Sequence, residues 1–161
     1  MDARRRLSVE ERARPSAISR FLGYGAVAPV AILVVGAIVL EGALAALARQ
    51  LAVLWGAAIL VFLAGVRRGL SFRTPGGARA IQIATMTWYF AVGLAAALAS
   101  LATTLPWLGP ALTTLGFASL LVLDPAAARR AEAPLFFERL RPPQMGLASA
   151  LYAVLLVDGV I

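Results

Sequence analysis

From Ala80 to Leu123 the chain runs 44 residues without a charged side chain. A helix rises about 1.5 Å per residue, so roughly 20 apolar residues cross the hydrocarbon core of a bilayer. This run is long enough for two crossings. Pro106-Trp107-Leu108-Gly109-Pro110 interrupts it with two prolines and a glycine, the composition of a tight turn. Other runs read the same way. Phe21 to Leu40 is uncharged, as is Leu51 to Val66, whose apolar residues reach back to Leu44 through Arg49 and Gln50. Pro142 to Val157 is the last. The spacing predicts an all-α bundle of five transmembrane helices, at about 21–40, 47–66, 80–103, 106–123 and 142–159. Residues 1–20 form a basic tail ahead of a transmembrane domain at 21–161.

A soluble helical bundle would show a polar face at the helical period. These segments are apolar all round. Hydrophobic residues make up 61% of the chain and charged ones 14%, with a mean hydropathy of +0.85. Soluble domains sit nearer half apolar and a quarter charged, so the balance excludes a water-soluble fold.

Arginine sets the topology, because basic residues concentrate in short cytoplasmic loops. The tail before Phe21, the loop after span two and the loop after span four hold 14 of the 15 basic residues, and all 15 are Arg. Only Arg49 falls outside. With five spans these three segments share one side. The N-terminus is therefore expected in the cytoplasm and the C-terminus, Ile161 beside Asp158, in the periplasm. A first span of 20 residues exceeds the apolar stretch of a cleaved signal, despite the small residues at Ala43-Leu44-Ala45. Asp2, Glu10 and Glu11 argue against a mitochondrial transit peptide. The expected location is the bacterial inner membrane, as a multi-pass protein.

The missing residues narrow the chemistry. The chain has no Cys, no His and no Lys. Disulfides, thiolate metal sites and Cys nucleophiles are excluded. So are the commonest metal ligand, the usual general base near neutral pH, and the usual haem ligand. Without Lys there is no Schiff base. Arg does not deprotonate and cannot carry protons. No phosphate loop, dinucleotide fingerprint or hydrolase motif is present. No catalytic, cofactor-binding or metal-binding residue is expected, and no enzyme activity. A membrane enzyme built on Asp124 or Glu138 with arginines is the least favoured reading. Nucleic-acid binding fits the net charge of +7 but no recognition motif supports it.

An ionisable group inside a span marks function. None is expected near a midplane, since Glu41, Arg49, Asp124 and Asp158 sit at span ends, where side chains snorkel to water. Among uncharged polar residues, Gln82, Thr85, Thr87 and Tyr89 open span three. Thr103, Thr104, Thr113, Thr114 and Ser119 flank the turn and line span four. They read as helix–helix or own-backbone hydrogen bonds, with a polar pore as the alternative. Ala91, Ala95 and Ala99 recur every four residues and offer a close-packing face. Gly65-x-x-x-Gly69 repeats that motif around two arginines. Pro29 removes a backbone donor mid-span and is expected to kink it. Arg67, Arg68, Arg129 and Arg130 are expected contacts for anionic headgroups or a partner. Ala126 to Leu140, broken by Pro134, reads as a segment lying in the interface.

Leu22-Gly23-Tyr24-Gly25-Ala26-Val27-Ala28-Pro29 resembles the first span of the transmembrane protein 69-like family. Trp55 through Gly69 is similar to that family's second span, except that Arg67 and Arg68 stand where the family tends to carry His and Trp. Asp124 and Leu140-Arg141 also fit. The resemblance covers about residues 21–160. It implies a five-span protein of bacterial or mitochondrial inner membranes, of unknown function, and no enzyme activity.

The expected function is therefore a non-catalytic accessory or scaffold subunit of a larger membrane complex, of respiratory or photosynthetic type. Its partners would be anionic membrane lipids and other membrane-protein subunits. The alternative is a small oligomeric transporter or channel using the Thr-rich region near Pro106 to Pro110.

Overall fold

The computed structural model describes residues 14–101 and 105–159. Most of the basic tail, including Arg4, Arg5, Arg6 and Arg12, lies outside the described residues, as do Thr103, Thr104 and Ile161. Five helices follow one another: α1 Ala17–Val39, α2 Gly42–Ser71, α3 Ala80–Leu101, α4 Leu108–Arg129 and α5 Phe137–Asp158. Among the described residues there is no strand. The first four are long and apolar enough to cross a membrane. α5 is as long, but carries Glu138, Arg139 and Arg141 in its first turns and is not among them.

Local chemistry explains several helix limits. Ser16 caps α1 by accepting from the Ser19 amide at 3.1 Å. Gly42 turns the chain into α2 with a φ of +57°, which a residue without Cβ adopts freely. Gly76 and Gly77, at φ +80° and +99°, shape the α2–α3 link in the same way. The turn expected at Pro106 to Pro110 is tighter, with α4 already helical from Leu108.

Four helices extend past the expected spans, α1 by starting at Ala17. α2 continues through Arg67 and Arg68 to Ser71. α4 continues through Asp124 and Pro125 to Arg129. α5 starts at Phe137, ahead of Pro142 and Pro143. The two ends of the segment expected to lie in the interface, 126–129 and 137–140, thus belong to α4 and α5, and 130–136 turn between them around Pro134. Phe137 and Leu140 drive the early start of α5, since both are buried against the rest of the bundle.

The helices pack as a ring in chain order. α1 closes it by touching both α2 and α5, and α2 also reaches α4 across the centre. The core comes from every helix: Val30, Leu60, Tyr89, Phe117, Leu120, Tyr152 and Leu155 are fully buried. Glycine sets the closest approaches. Leu60 of α2 fills a hole between Gly93 of α3 and Gly116 of α4, where any Cβ would collide with it. The Tyr152 ring stacks on Phe117 at 5.4 Å and its hydroxyl donates to Ala52 O at 2.7 Å. Large apolar side chains also cover the outside, including Phe21, Ile32, Phe62, Leu98 and Val122. Such a belt suits lipid rather than water.

Candidate functional site

Four charged or polar side chains meet at one end of the bundle. Arg67 lies a turn inside the end of α2, Asp124 a turn and a half inside the end of α4, and Arg141 one turn into α5. Tyr89 reaches them from α3. Asp124, expected to snorkel to water, is 2% exposed, Arg67 5% and Arg141 8%. The correction has a direct cause. Because α2, α4 and α5 continue beyond their apolar runs, these residues are inside helices and face one another.

The carboxylate of Asp124 is held on both oxygens. Oδ1 accepts from Arg67 Nη2 at 2.7 Å and Nε at 3.1 Å, and from the Tyr89 hydroxyl at 3.4 Å. Oδ2 lies 3.1 Å from Arg141 Nε, an ionic contact whose alignment falls short of a hydrogen bond. Arg67 Nη2 also donates to Leu123 O at 2.9 Å. Arg141 Nη1 donates to Gln144 Oε1 at 3.3 Å, and Gln144 Nε2 to Gly23 O of α1 at 2.7 Å. The Arg141 guanidinium sits 4.4 Å from the centre of the Phe137 ring. The cluster thus links all five helices, and it holds two guanidiniums for one carboxylate. Among the described residues no group of His, Cys, Asp and Glu could hold a metal.

The remaining expected site residues scatter. Arg67, expected to meet lipid or a partner, is spent inside. Arg68 is exposed and stacks on Phe72 at 4.2 Å. Arg129 forms an exposed pair with Glu138 at 3.4 Å. Arg130 and Arg79 hold the buried Glu132 at 3.1 and 3.3 Å. Gly65 and Gly69 face open space, so they form no contact within the chain. On α3, Ala91 is exposed and Ala95 half-buried; Ala99 alone of the three is buried. The buried face carries Val92, Gly93 and Ala96, centred about 130° from Ala91 and Ala95, and Gly93 meets Ala57, Leu60 and Val61 of α2. α1 runs unbroken through Pro29, and the Trp55 indole donates to Ala26 O at 2.9 Å beside the proline.

Apart from Tyr89 and the bond from Trp88 Nε1 to Ser119 Oγ at 3.0 Å, the polar residues of spans three and four bond locally. Thr113 Oγ1 donates to Gly109 O and Pro110 O at 3.0 Å, Thr114 to Pro110 O at 2.8 Å, and Ser119 to Gly116 O at 2.7 Å. Thr85 bonds back to Ile81 O. Gln82 accepts from the Arg79 amide at 2.9 Å, capping α3. Thr87 is exposed. At the opposite end Arg49 pairs with Asp158 and donates to Leu155 O at 2.9 Å, capping α5.

Sequence reasoning missed Arg141, Gln144 and Glu132 as members of polar networks. The available signal was charge balance: Arg67, Asp124 and Arg141 each adjoin an apolar run at the same end of the bundle. No protein-family model, curated protein or solved structure matches the chain.

Proposed function

We propose that the protein is a non-catalytic, multi-pass protein of the bacterial inner membrane that serves as an accessory or scaffold subunit of a larger membrane complex, of respiratory or photosynthetic type. The observation that carries this reading is the internal closure of its polar groups. The buried charges pair with one another, and Thr113, Thr114 and Ser119 bond to their own helices. A transporter must leave polar groups open to its substrate, whereas a packing subunit spends them on its own fold.

In this reading α5 is a fifth span. Its 22 residues cover about 33 Å. Its start contacts Asp124 near the end of α4, and its end contacts Arg49 and Ala52 near the start of α2. It therefore runs the length of the bundle. The N-terminus is cytoplasmic and the C-terminus periplasmic, since every described Arg except Arg49 lies at one end. The resemblance to the transmembrane protein 69-like family supports the same membrane. The outward surfaces would meet other membrane subunits, and Arg68, Arg129 and Arg130 anionic headgroups.

The test is a pull-down of the tagged protein from its native membrane in mild detergent, followed by native electrophoresis and mass spectrometry. Recovery in one large stoichiometric complex is expected. Recovery alone, or only as a small homo-oligomer, overturns the scaffold reading and moves attention to flux assays.

A further inference from the structure

Two cavities adjoin at the basic end of the bundle. One, of about 650 Å³, is bounded by Arg14 and Ser16 ahead of α1, Arg73 and Thr74 after α2, and Glu132 before α5. The second, of about 520 Å³, runs between α1, α2 and α5, and its wall is nearly all apolar, with Ala26, Trp55, Ala58 and Phe62 along it. Ser19 and Phe136 belong to both walls, so the cavity that holds Arg14 and Arg73, the more polar of the two, opens beside the head of the apolar cleft. From Ser19 to Ala26 the cleft follows α1 for about 10 Å toward the bundle's middle. Each volume falls in the range of roughly 300–1,000 Å³ that ligand sites occupy.

The charge around this pair of cavities is positive. Glu132 is already neutralised by Arg79 and Arg130. Arg14 and Arg73 are exposed and, among the described residues, pair with no carboxylate. Arg141, the second guanidinium on Asp124, forms part of the cleft wall. Its polar neighbour Gln144 is committed to Gly23 O, so the cleft asks for hydrocarbon. A soluble anion would use the arginines of the first cavity and leave the cleft empty. An apolar helix would use the cleft and ignore the arginines. An anionic amphiphile satisfies both.

We propose that the two cavities form one site for a single anionic phospholipid, with its phosphodiester between Arg14 and Arg73 and one acyl chain lying along the cleft. Guanidinium suits this role, since its planar donors match phosphate oxygens. The inference goes beyond the scaffold reading and needs no partner subunit.

The experiment is native mass spectrometry of the purified full chain in mild detergent, titrated with phosphatidylglycerol or with phosphatidylcholine of the same chain length. One retained phosphatidylglycerol is expected, preferred at least tenfold. Arg14→Gln and Arg73→Gln should each weaken it about fivefold, the effect of one Arg beside an anionic headgroup. Arg20→Gln, which removes an exposed charge at the same end but outside both cavities, should change it less than twofold. Ala58→Trp should fill the cleft and weaken both lipids, while the exposed position leaves the melting temperature within a few degrees. Equal retention of the two lipids, displacement by millimolar inorganic phosphate, an Arg20→Gln effect equal to that of Arg73→Gln, or no effect of Ala58→Trp would each overturn the proposal.

Discussion

Asp124→Asn isolates the electrostatics of the buried cluster. The substitution keeps size and leaves an oxygen that can still accept from Arg67, so packing and hydrogen-bond geometry barely change. What disappears is the negative charge that faces Arg67 Nη2 at 2.7 Å and Arg141 Nε at 3.1 Å. Two guanidiniums, 5% and 8% exposed, are then left buried with no counter-charge. Removing one partner of a buried ion pair costs about 3–5 kcal/mol. For a chain of this size that is a fall in melting temperature of about 6–20 °C. Heating in detergent followed by size exclusion, with Trp55, Trp88 and Trp107 as intrinsic fluorophores, measures it. Replacing the whole cluster with apolar residues, as Arg67→Met, Asp124→Leu and Arg141→Met together, should lie within about 2 kcal/mol of the parent or above it, because no charge is stranded. An Asp124→Asn protein that melts within about 2 °C of the parent would refute the account. It would mean that the arginines reach water or phosphate instead of depending on Asp124.

Gly93→Ala should destabilise by about 1–3 kcal/mol, because its Cβ would sit 3.0 Å from Ala57 O, Leu60 Cβ and Val61 Cγ2, and the backbone oxygen cannot move aside. Gly65→Ala, with open space around it, should be neutral or up to about 1 kcal/mol stabilising, and the same melting assay separates the two. Thr113→Val with Thr114→Val should change stability by no more than about 1 kcal/mol and leave proteoliposomes sealed to ions, since both hydroxyls serve only their own helix. Trp55→Phe should cost about 1 kcal/mol through the lost bond to Ala26 O, and hydrogen exchange in the α1 amides around Pro29 should rise with it.

Helix number and approximate placement were legible because a long apolar run has few other uses. The ends were not, because charge was read as the exit from the membrane. At Arg67, Asp124 and Arg141 that inference fails for one reason. A helix need not stop at a charge when neighbouring helices supply the opposite one at the same depth. Sequence order hides this pairing, since Arg67 and Asp124 are 57 residues apart. The face by which α3 packs within the chain was hidden for a different reason. In a helix that is apolar all round, small residues occur on several faces, and Ala91-Ala95-Ala99 was one choice among them. Gln82, Thr85 and Tyr89 held the better signal: polar side chains in a span turn inward, and continuing their period leads to Val92, Gly93 and Ala96.

The same closure of polar groups limits where this protein can act. A bundle that consumes its buried charges and hydroxyls internally offers only two kinds of surface. The apolar belt around Phe21, Ile32 and Phe62 accepts lipid tails or neighbouring helices, with little power to choose between them. In the proposed lipid site, selectivity comes from the basic end. There Arg14, Arg68, Arg73 and Arg139 are exposed without carboxylate partners among the described residues, and the ring of helices parts into a cleft. Asp124 explains why that end is built so. One carboxylate between two guanidiniums ties α2, α4 and α5 together yet leaves the cluster a net cation. The tie and the surplus positive charge have a single origin. A change that balanced the cluster, such as Arg141→Leu, should therefore weaken anionic lipid binding even though Arg141 lies a full turn inside α5.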